Sequence, residues 1–300
     1  MSKHSTKLTI GLPVYNSEAT VRESVQSLLA QTYGDFILII SDNASTDSTG
    51  DICRELAAGD SRIRYHRNAE NIGMSPNFNR VAELCETAFF KWSTADDLWE
   101  PTMVEKTLAV IEADDSIALC YPKTKLVNIE EGIERPYDDN LHLMQDDPAE
   151  RFLGVIRNIG LCNLHLGISR TAALRKTRML QPFPGADLNL VAELALYGKF
   201  FEVQEYLFLR RFHEDSSSWA RGDAEHQKRR FHSAKTRNIK LNRWRAEIEY
   251  IRAAIKAPLP FASKRRVYGY LGRRLIWNRN ELARELWAKL SSGFQRREHA

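Results

Sequence analysis

Ala88-Phe89-Phe90-Lys91-Trp92 runs straight into Ser93-Thr94-Ala95-Asp96-Asp97-Leu98-Trp99, and the reading of this stretch decides the fold. The first five residues have the composition of a short buried strand, and the polar residues after it end in two adjacent acids. Carboxylates at the C-terminal end of a strand sit where open α/β sheets bind ligands. Hard oxygen ligands of this kind suit Mg²⁺ or Mn²⁺ shared with a phosphate. The alternative is that Asp96 or Asp97 caps a helix opening near Pro101, which is ordinary turn chemistry.

Upstream, the same pattern repeats. Leu8-Thr9-Ile10-Gly11-Leu12-Pro13 reads as a buried strand, after which Asn16 or Ser17 caps a helix with Val21, Val25, Leu28 and Leu29 on one face. Phe36-Ile37-Leu38-Ile39-Ile40 is a second strand, apolar on both faces as parallel strands are, followed by Asp42 to Asp47 and a helix carrying Ile52 and Leu56. Ile63-Arg64-Tyr65 gives a third strand, then come Asn71-Ile72-Gly73 and a helix with Phe78, Val81, Ala82 and Cys85 inward. Strands alternating with helices predict a mostly parallel α/β sheet, with the C-terminal ends of all strands on one rim.

Downstream, a helix over Met103–Ala113 and a strand over Ile117–Tyr121 precede an acidic, irregular stretch at 129–147. Asp147-Pro148 opens a further helix in cap-then-proline order. Gly167-Ile168-Ser169, Phe200-Phe201-Glu202 and Leu207-Phe208-Leu209 read as separate short strands. From about Asp223 the chain turns to basic helices, with Trp244, Ile248, Ile251 and Ile255 as one inward stripe. Val267, Tyr268, Leu271 and Leu275 form a second stripe, and Leu282, Leu286 and Leu290 a third.

A chain of 300 residues, 43% of them hydrophobic, is long enough for a large core. The net charge of +4 hides an asymmetry: residues 221–300 carry 21 Lys+Arg against 7 Asp+Glu, which leaves 22 against 32 in residues 1–220. A division into a body at 1–220 and a basic helical extension at 221–300 follows. The extension faces a membrane surface, a second copy, or the acidic body itself; no nucleic-acid motif accompanies the charge. No apolar run reaches the roughly 20 residues of a membrane span and no signal-peptide core opens the chain, so the expected location is cytoplasmic. Cys53, Cys85, Cys120 and Cys162 are too scattered for a zinc site or a disulfide framework.

Several chemistries are excluded by motif. The chain has no Gly-x-Gly-x-x-Gly after its first strand, no phosphate-binding Gly-x-x-x-x-Gly-Lys-Ser/Thr and no Gly-x-Ser-x-Gly. What it has is an ordered series: Pro13-Val14-Tyr15-Asn16, Ser41-Asp42-Asn43-Ala44-Ser45-Thr46-Asp47, Asn71-Ile72-Gly73, Ala95-Asp96-Asp97, Gly185-Ala186-Asp187, Leu196 to Phe200 and Arg211-Phe212-His213. This series resembles the motifs of family-2 glycosyltransferases and implies their GT-A fold over roughly residues 7–217.

By that resemblance, Pro13, Tyr15, Asn16 and Glu18 line a nucleotide pocket, and Asp42 contacts the base, typically uracil, although an Asx-turn that starts the next helix is the competing role for Asp42. Asn71 and Gly73 contact the donor or merely shape their loop. Asp97 is the expected ligand of Mn²⁺ or Mg²⁺, with Asp96 turned to the donor ribose or sugar; Thr94 stands where many relatives carry a further Asp. His213 is a candidate further ligand or phosphate contact. Asp187 is the expected base of an inverting transfer, which needs one carboxylate to take the acceptor's proton; its alternative role is to cap the helix Leu188 to Tyr197, and a helix N-terminus favours the ionised form a base needs. The implied reaction moves a sugar from a nucleoside diphosphate donor, UDP-linked, to a hydroxyl of a glycan or lipid-linked saccharide. The rivals are a degenerate nucleotide-sugar-binding adaptor and a sugar-phosphate nucleotidylyltransferase, whose glycine-rich signature the first turn lacks.

Overall fold

The structure is a computed structural model, and it describes residues 6–128, 131–211 and 241–295. One sheet organises it, with strand order β3-β2-β1-β4-β8-β6-β9-β5 and β7 paired to the outer part of β6. The strands are β1 (Leu8–Val14), β2 (Phe36–Asp42), β3 (Ile63–Arg67), β4 (Phe89–Trp92), β5 (Leu98–Trp99), β6 (Ile117–Asn128), β7 (Ile133–Tyr137), β8 (Ile168–Arg170) and β9 (Lys199–Arg211). The helices are α1 (Val21–Leu29), α2 (Thr49–Gly59), α3 (Met74–Glu83), α4 (Met103–Ala113), α5 (Pro148–Asn158), α6 (Thr171–Leu174), α7 (Ala186–Ala195), α8 (Asn242–Lys256), α9 (Phe261–Trp277) and α10 (Arg279–Gln295).

The first half follows the alternation in the sequence. β1 pairs in parallel with β2 and β4, and β2 with β3. Their apolar side chains are buried on both faces, as expected of strands covered by helices on each side. Helix α3 lies close over β1: a Cβ on Gly11 would stand 2.6 Å from Val81 Cγ2, so only glycine fits there.

The second half departs from a purely parallel sheet. β8 runs antiparallel to both β4 and β6, and β5 antiparallel to β9, while β6 and β9 are parallel to each other. The six strands β1–β4, β6 and β9 therefore share one direction, and β5, β7 and β8 are reversed. The two short strands expected at 200–202 and 207–209 are one long strand, β9, whose register against β6 shifts near Pro122 and Lys123. That irregularity breaks the hydrophobic alternation, which is why the sequence reads as two pieces. Within the stretch expected to be irregular, β7 forms a hairpin with β6.

Two cores result. One lies around β1–β4 with α1, α3 and α4. The other joins α5, α7 and β6 to Tyr250, Ala253 and Ala254 of α8 and Val267, Tyr270 and Leu271 of α9. The C-terminal helices thus share a core with the body; the boundary expected near 220 falls outside the described residues. The apolar stripes expected on these helices are only partly inward. Glu247, Glu249, Tyr250, Ala253 and Ala254 are the buried residues of α8, while Ile248 and Ile255 face outward. Tyr268 of α9 and Leu286 and Leu290 of α10 are exposed as well. Glu247 is buried because the Arg274 Nε lies 2.9 and 3.0 Å from its two oxygens and the Asn278 amide donates to it at 3.1 Å. All four cysteines are free and buried.

Candidate active site

The acids after β4 are not a helix cap. Thr102 is the N-cap residue of α4, and Asp96 and Asp97 precede the two-residue strand β5 instead. Asp97 is 5% exposed. Its Oδ1 accepts the backbone N–H of Arg211 at 2.9 Å and its Oδ2 accepts the Thr94 hydroxyl at 2.5 Å. Burial, with the charge of Asp96 adding to it, pushes the Asp97 carboxyl up to about 7, against the pull of Arg210 and the two hydrogen bonds. Arg211 closes β9 and holds the acidic loop in place: its Nε donates to the Asp96 carbonyl and its Nη1 pairs with Glu23 on α1. The Ser24 hydroxyl donates to the Thr94 carbonyl at 2.7 Å, so α1 fixes the loop from the other side.

Asp187 lies in the first turn of α7, whose N-cap is Gly185 with φ 83°, so Asp187 sits inside the helix and does not cap it. It meets Cys162 and His165, and one ligand atom from each of the three lies within 4.8 Å of the others. The imidazole Nδ1 is 2.5 Å from the Cys162 carbonyl. Burial lowers the His165 pKa, with the Asp187 charge opposing, so the ring is neutral at neutral pH. Burial and the nearby Asp187 charge also raise the Cys162 thiol well above its ordinary value.

Arg210 ties the two acidic positions together. Its guanidinium acts electrostatically on Asp97, Asp139, Cys162 and His165, and its Nη1 donates to the Leu161 carbonyl at 3.1 Å. Lys91 lies between the same groups. It is fully buried, with Nζ donating to the Trp92 carbonyl at 3.0 Å and lying 3.1 Å from the centre of the Trp99 ring. Burial drives its pKa well down, and the charge of Asp97 opposes this. The sequence reading took Phe89 to Trp92 as simply apolar and missed Lys91; a lysine inside such a strand was the available signal. His165 was missed too, because nothing local sets it apart until the fold brings it to Asp187.

The remaining predicted residues line the neighbouring rim. Tyr15 is exposed after β1, next to Pro13. Asn16 and Glu18 hold the loop after β2: the Thr46 N–H donates to Asn16 Oδ1 at 2.8 Å and the Ser48 N–H to Glu18 Oε2 at 2.8 Å. Asp42 is fully buried and accepts from the Ser45 N–H at 2.8 Å, the Tyr65 hydroxyl at 2.7 Å and Arg67 at 2.5 Å. The Ser45 bond closes three residues on, and α2 starts after its Ser48 N-cap, so Asp42 orders this loop without making the Asx-turn that would start the helix. Asn71 Oδ1 accepts from Asn43 Nδ2 and from the Gly73 N–H, both at 2.8 Å, and Gly73 turns the chain with φ 93°. A cleft of 630 Å³ opens beside this loop, lined by Arg67, Asn68, Ile72, Asn79, Arg80 and Leu180, but it does not include the acids. His213 lies outside the described residues.

Two sets of side chains offer metal ligands, Asp96 with Asp97 and Cys162 with His165 and Asp187. Asp97 is the better fit to Mn²⁺ or Mg²⁺, since it is a hard oxygen donor and each of its oxygens has a lone pair beyond the hydrogen bond it already accepts.

Comparison with known proteins agrees with this architecture. The model of glycosyl transferase family 2 matches residues 9–176, and the chain belongs to that family. It is 34% identical over 107 residues to the putative glycosyltransferase EpsE of Bacillus subtilis, covering 35% of this chain and 38% of EpsE. It is 31% identical over 118 residues to glycosyltransferase GlyA of Streptococcus pneumoniae, covering 38% of this chain and 17% of GlyA. The matched stretch is thus well under half of either relative. Staphylococcus aureus TarS 1–349 in complex with UDP superposes with a TM-score of 0.63 at 16% identity, over 90% of this chain and 71% of that fragment, which establishes the GT-A fold. A mannosyltransferase from Pyrobaculum calidifontis, solved with GDP-Man and Mn²⁺, superposes with a TM-score of 0.50 at 13% identity, over 90% of this chain and 76% of its own.

Proposed function

We propose that this protein is an inverting glycosyltransferase that moves a sugar from a nucleoside diphosphate donor, UDP-linked, to a hydroxyl of a glycan or lipid-linked saccharide. The observation that carries the reading is the presence of two differently supported acids: Asp97, held by Thr94 and Arg211, and Asp187, set beside His165 and Cys162. Asp97, with Asp96 beside it, would hold Mn²⁺ or Mg²⁺, which neutralises the diphosphate of the donor as a Lewis acid. On this reading Pro13, Tyr15, Asn16, Glu18, Asp42, Asn71 and Gly73 form the nucleotide side of the rim. Asp187 takes the acceptor hydroxyl's proton as that oxygen attacks the anomeric carbon opposite the leaving diphosphate, and His165 keeps the carboxylate oriented. A single base suffices because inversion needs no covalent intermediate.

Family membership and the likeness of the fold to TarS bound to UDP support the donor class. The test is thermal stabilisation by UDP, GDP and dTDP with and without Mn²⁺, alongside turnover of the matching nucleotide sugars. Asp187→Asn is expected to abolish turnover and leave stabilisation by UDP intact; undiminished turnover in that variant removes Asp187 from the base role.

A further inference from the structure

Ten large apolar side chains are exposed among the described residues, and nine of them lie between Ile248 and Leu290; Tyr15 is the other. Helix α9 shows why. Its inward face, Ser263, Val267, Tyr270 and Leu271, packs on the body. The opposite face, Phe261, Arg265, Tyr268, Gly272 and Ile276, is spaced four, three, four and four residues apart and forms a second stripe, with Phe261 83% and Ile276 61% exposed. A surface helix ordinarily carries polar residues there. Trp287 of α10, next to Leu286 and Leu290, is 74% exposed.

The cations on α9 divide into paired and unpaired. Arg274 is committed to Glu247, and Arg266 to Asp147 and Glu150. Lys264, Arg265 and Arg273, within or beside the outer stripe, make no ion pair among the described residues. Apolar and aromatic side chains interleaved with uncommitted cations on one helix face are the signature of a helix lying in a bilayer interface, with rings at the acyl boundary and guanidinium groups at lipid phosphates. A second copy fits less well, since a two-fold pairing through α9 sets Arg265 and Arg273 against the same cations of the other chain.

We propose that the outer face of α9, with Leu286, Trp287 and Leu290 of α10, docks this protein on an anionic phospholipid surface. The inference stands apart from the donor chemistry and does not depend on it. The full chain is co-sedimented with phosphatidylcholine vesicles with and without phosphatidylserine, at low and high salt, and its mass is measured by light scattering without lipid. Binding is expected only to the phosphatidylserine vesicles and falls with salt. The double variant Arg265→Gln with Arg273→Gln is expected to weaken it about 25-fold, roughly fivefold for each cation. Replacing Phe261, Tyr268 and Ile276 together by Ser is expected to weaken it on the order of a hundredfold. All five side chains are exposed, so the melting temperature should hold; if the triple variant fails to fold, the arginine pair decides. Absence of binding at low salt overturns the proposal, as does binding unchanged by the arginine replacements. A dimer that the triple variant turns into a monomer assigns the face to a second copy instead.

Discussion

Asp139 follows β7 and is 3% exposed, and it provides a quantitative test of the electrostatics around Arg210. Burial, with the charge of Glu202 adding to it, pushes its carboxyl from the ordinary 3.8 up to about 7, while the nearby Asn163 and the charge of Arg210 act the other way; neither carboxyl oxygen has a hydrogen-bond partner among the described residues. Between those pH values the folded protein holds a proton that the unfolded chain releases. Stability from this group is therefore complete below the unfolded pKa and is lost as pH rises through about 7. A displacement of roughly three pH units, at about 1.4 kcal/mol each, bounds the loss at about 4 kcal/mol. Asp139→Asn keeps the shape of the protonated acid and removes the titration. In urea unfolding, the variant should match the parent near pH 4 and exceed it by up to about 4 kcal/mol near pH 8. Comparing variant with parent at each pH cancels the other titrating groups, Asp97 among them. A stability difference that is the same at both pH values, or that shrinks as pH rises, refutes a buried neutral Asp139.

Thr94→Val keeps the volume but removes the hydroxyl that holds down the Asp97 pKa, so half-maximal Mn²⁺-dependent stabilisation by UDP should move to higher pH; an unmoved midpoint contradicts Asp97 as the ligand. Gly167→Ala would place a Cβ 2.5 Å from the Cys120 carbonyl oxygen, a backbone atom that has no easy way to yield. It should cost about 1–3 kcal/mol in unfolding experiments. Asp147→Ala removes the cap of α5, whose carboxylate accepts the Ala149 N–H at 3.0 Å and the Ser263 hydroxyl at 3.0 Å. It should cost about 1 kcal/mol or somewhat more and also loosen α9, which hydrogen exchange along Phe261–Trp277 would register.

The parallel half of the sheet was legible because β1 and β2 are apolar on both faces and strands alternate there with amphipathic helices that begin after polar turns. The helix Met103–Ala113 and the Asp147-Pro148 start were read correctly for the same local reasons. The reversed strands were not legible. β8 is three residues long and owes its direction to the partners on either side, and the merger of β9 depends on a shifted register with β6. In the site, the acids announced themselves as motifs. Lys91 and His165 did not, because a buried lysine and a lone histidine acquire meaning only from what the fold packs against them. The helical extension misled for a different reason: periodicity put Ile248 and Ile255 of α8 inward, whereas the fold buries Glu247, Glu249, Tyr250, Ala253 and Ala254 on that helix, and on α9 Tyr268 points out while Val267 and Leu271 are buried as expected.

Strand β9 has one more consequence, for synthesis. It lies between β6 and β5 in the sheet, yet it is the last in sequence of the nine strands among the described residues. Until Arg211 has emerged, a nascent chain carries the acidic loop without the backbone N–H that fixes Asp97, and the facing edges of β5 and β6 stay unpaired. Unpaired edges invite pairing with other chains. The two-residue strand at Leu98–Trp99 keeps one of these edges too short to be a template, and the sheet can close only once the residues that finish the site have been made.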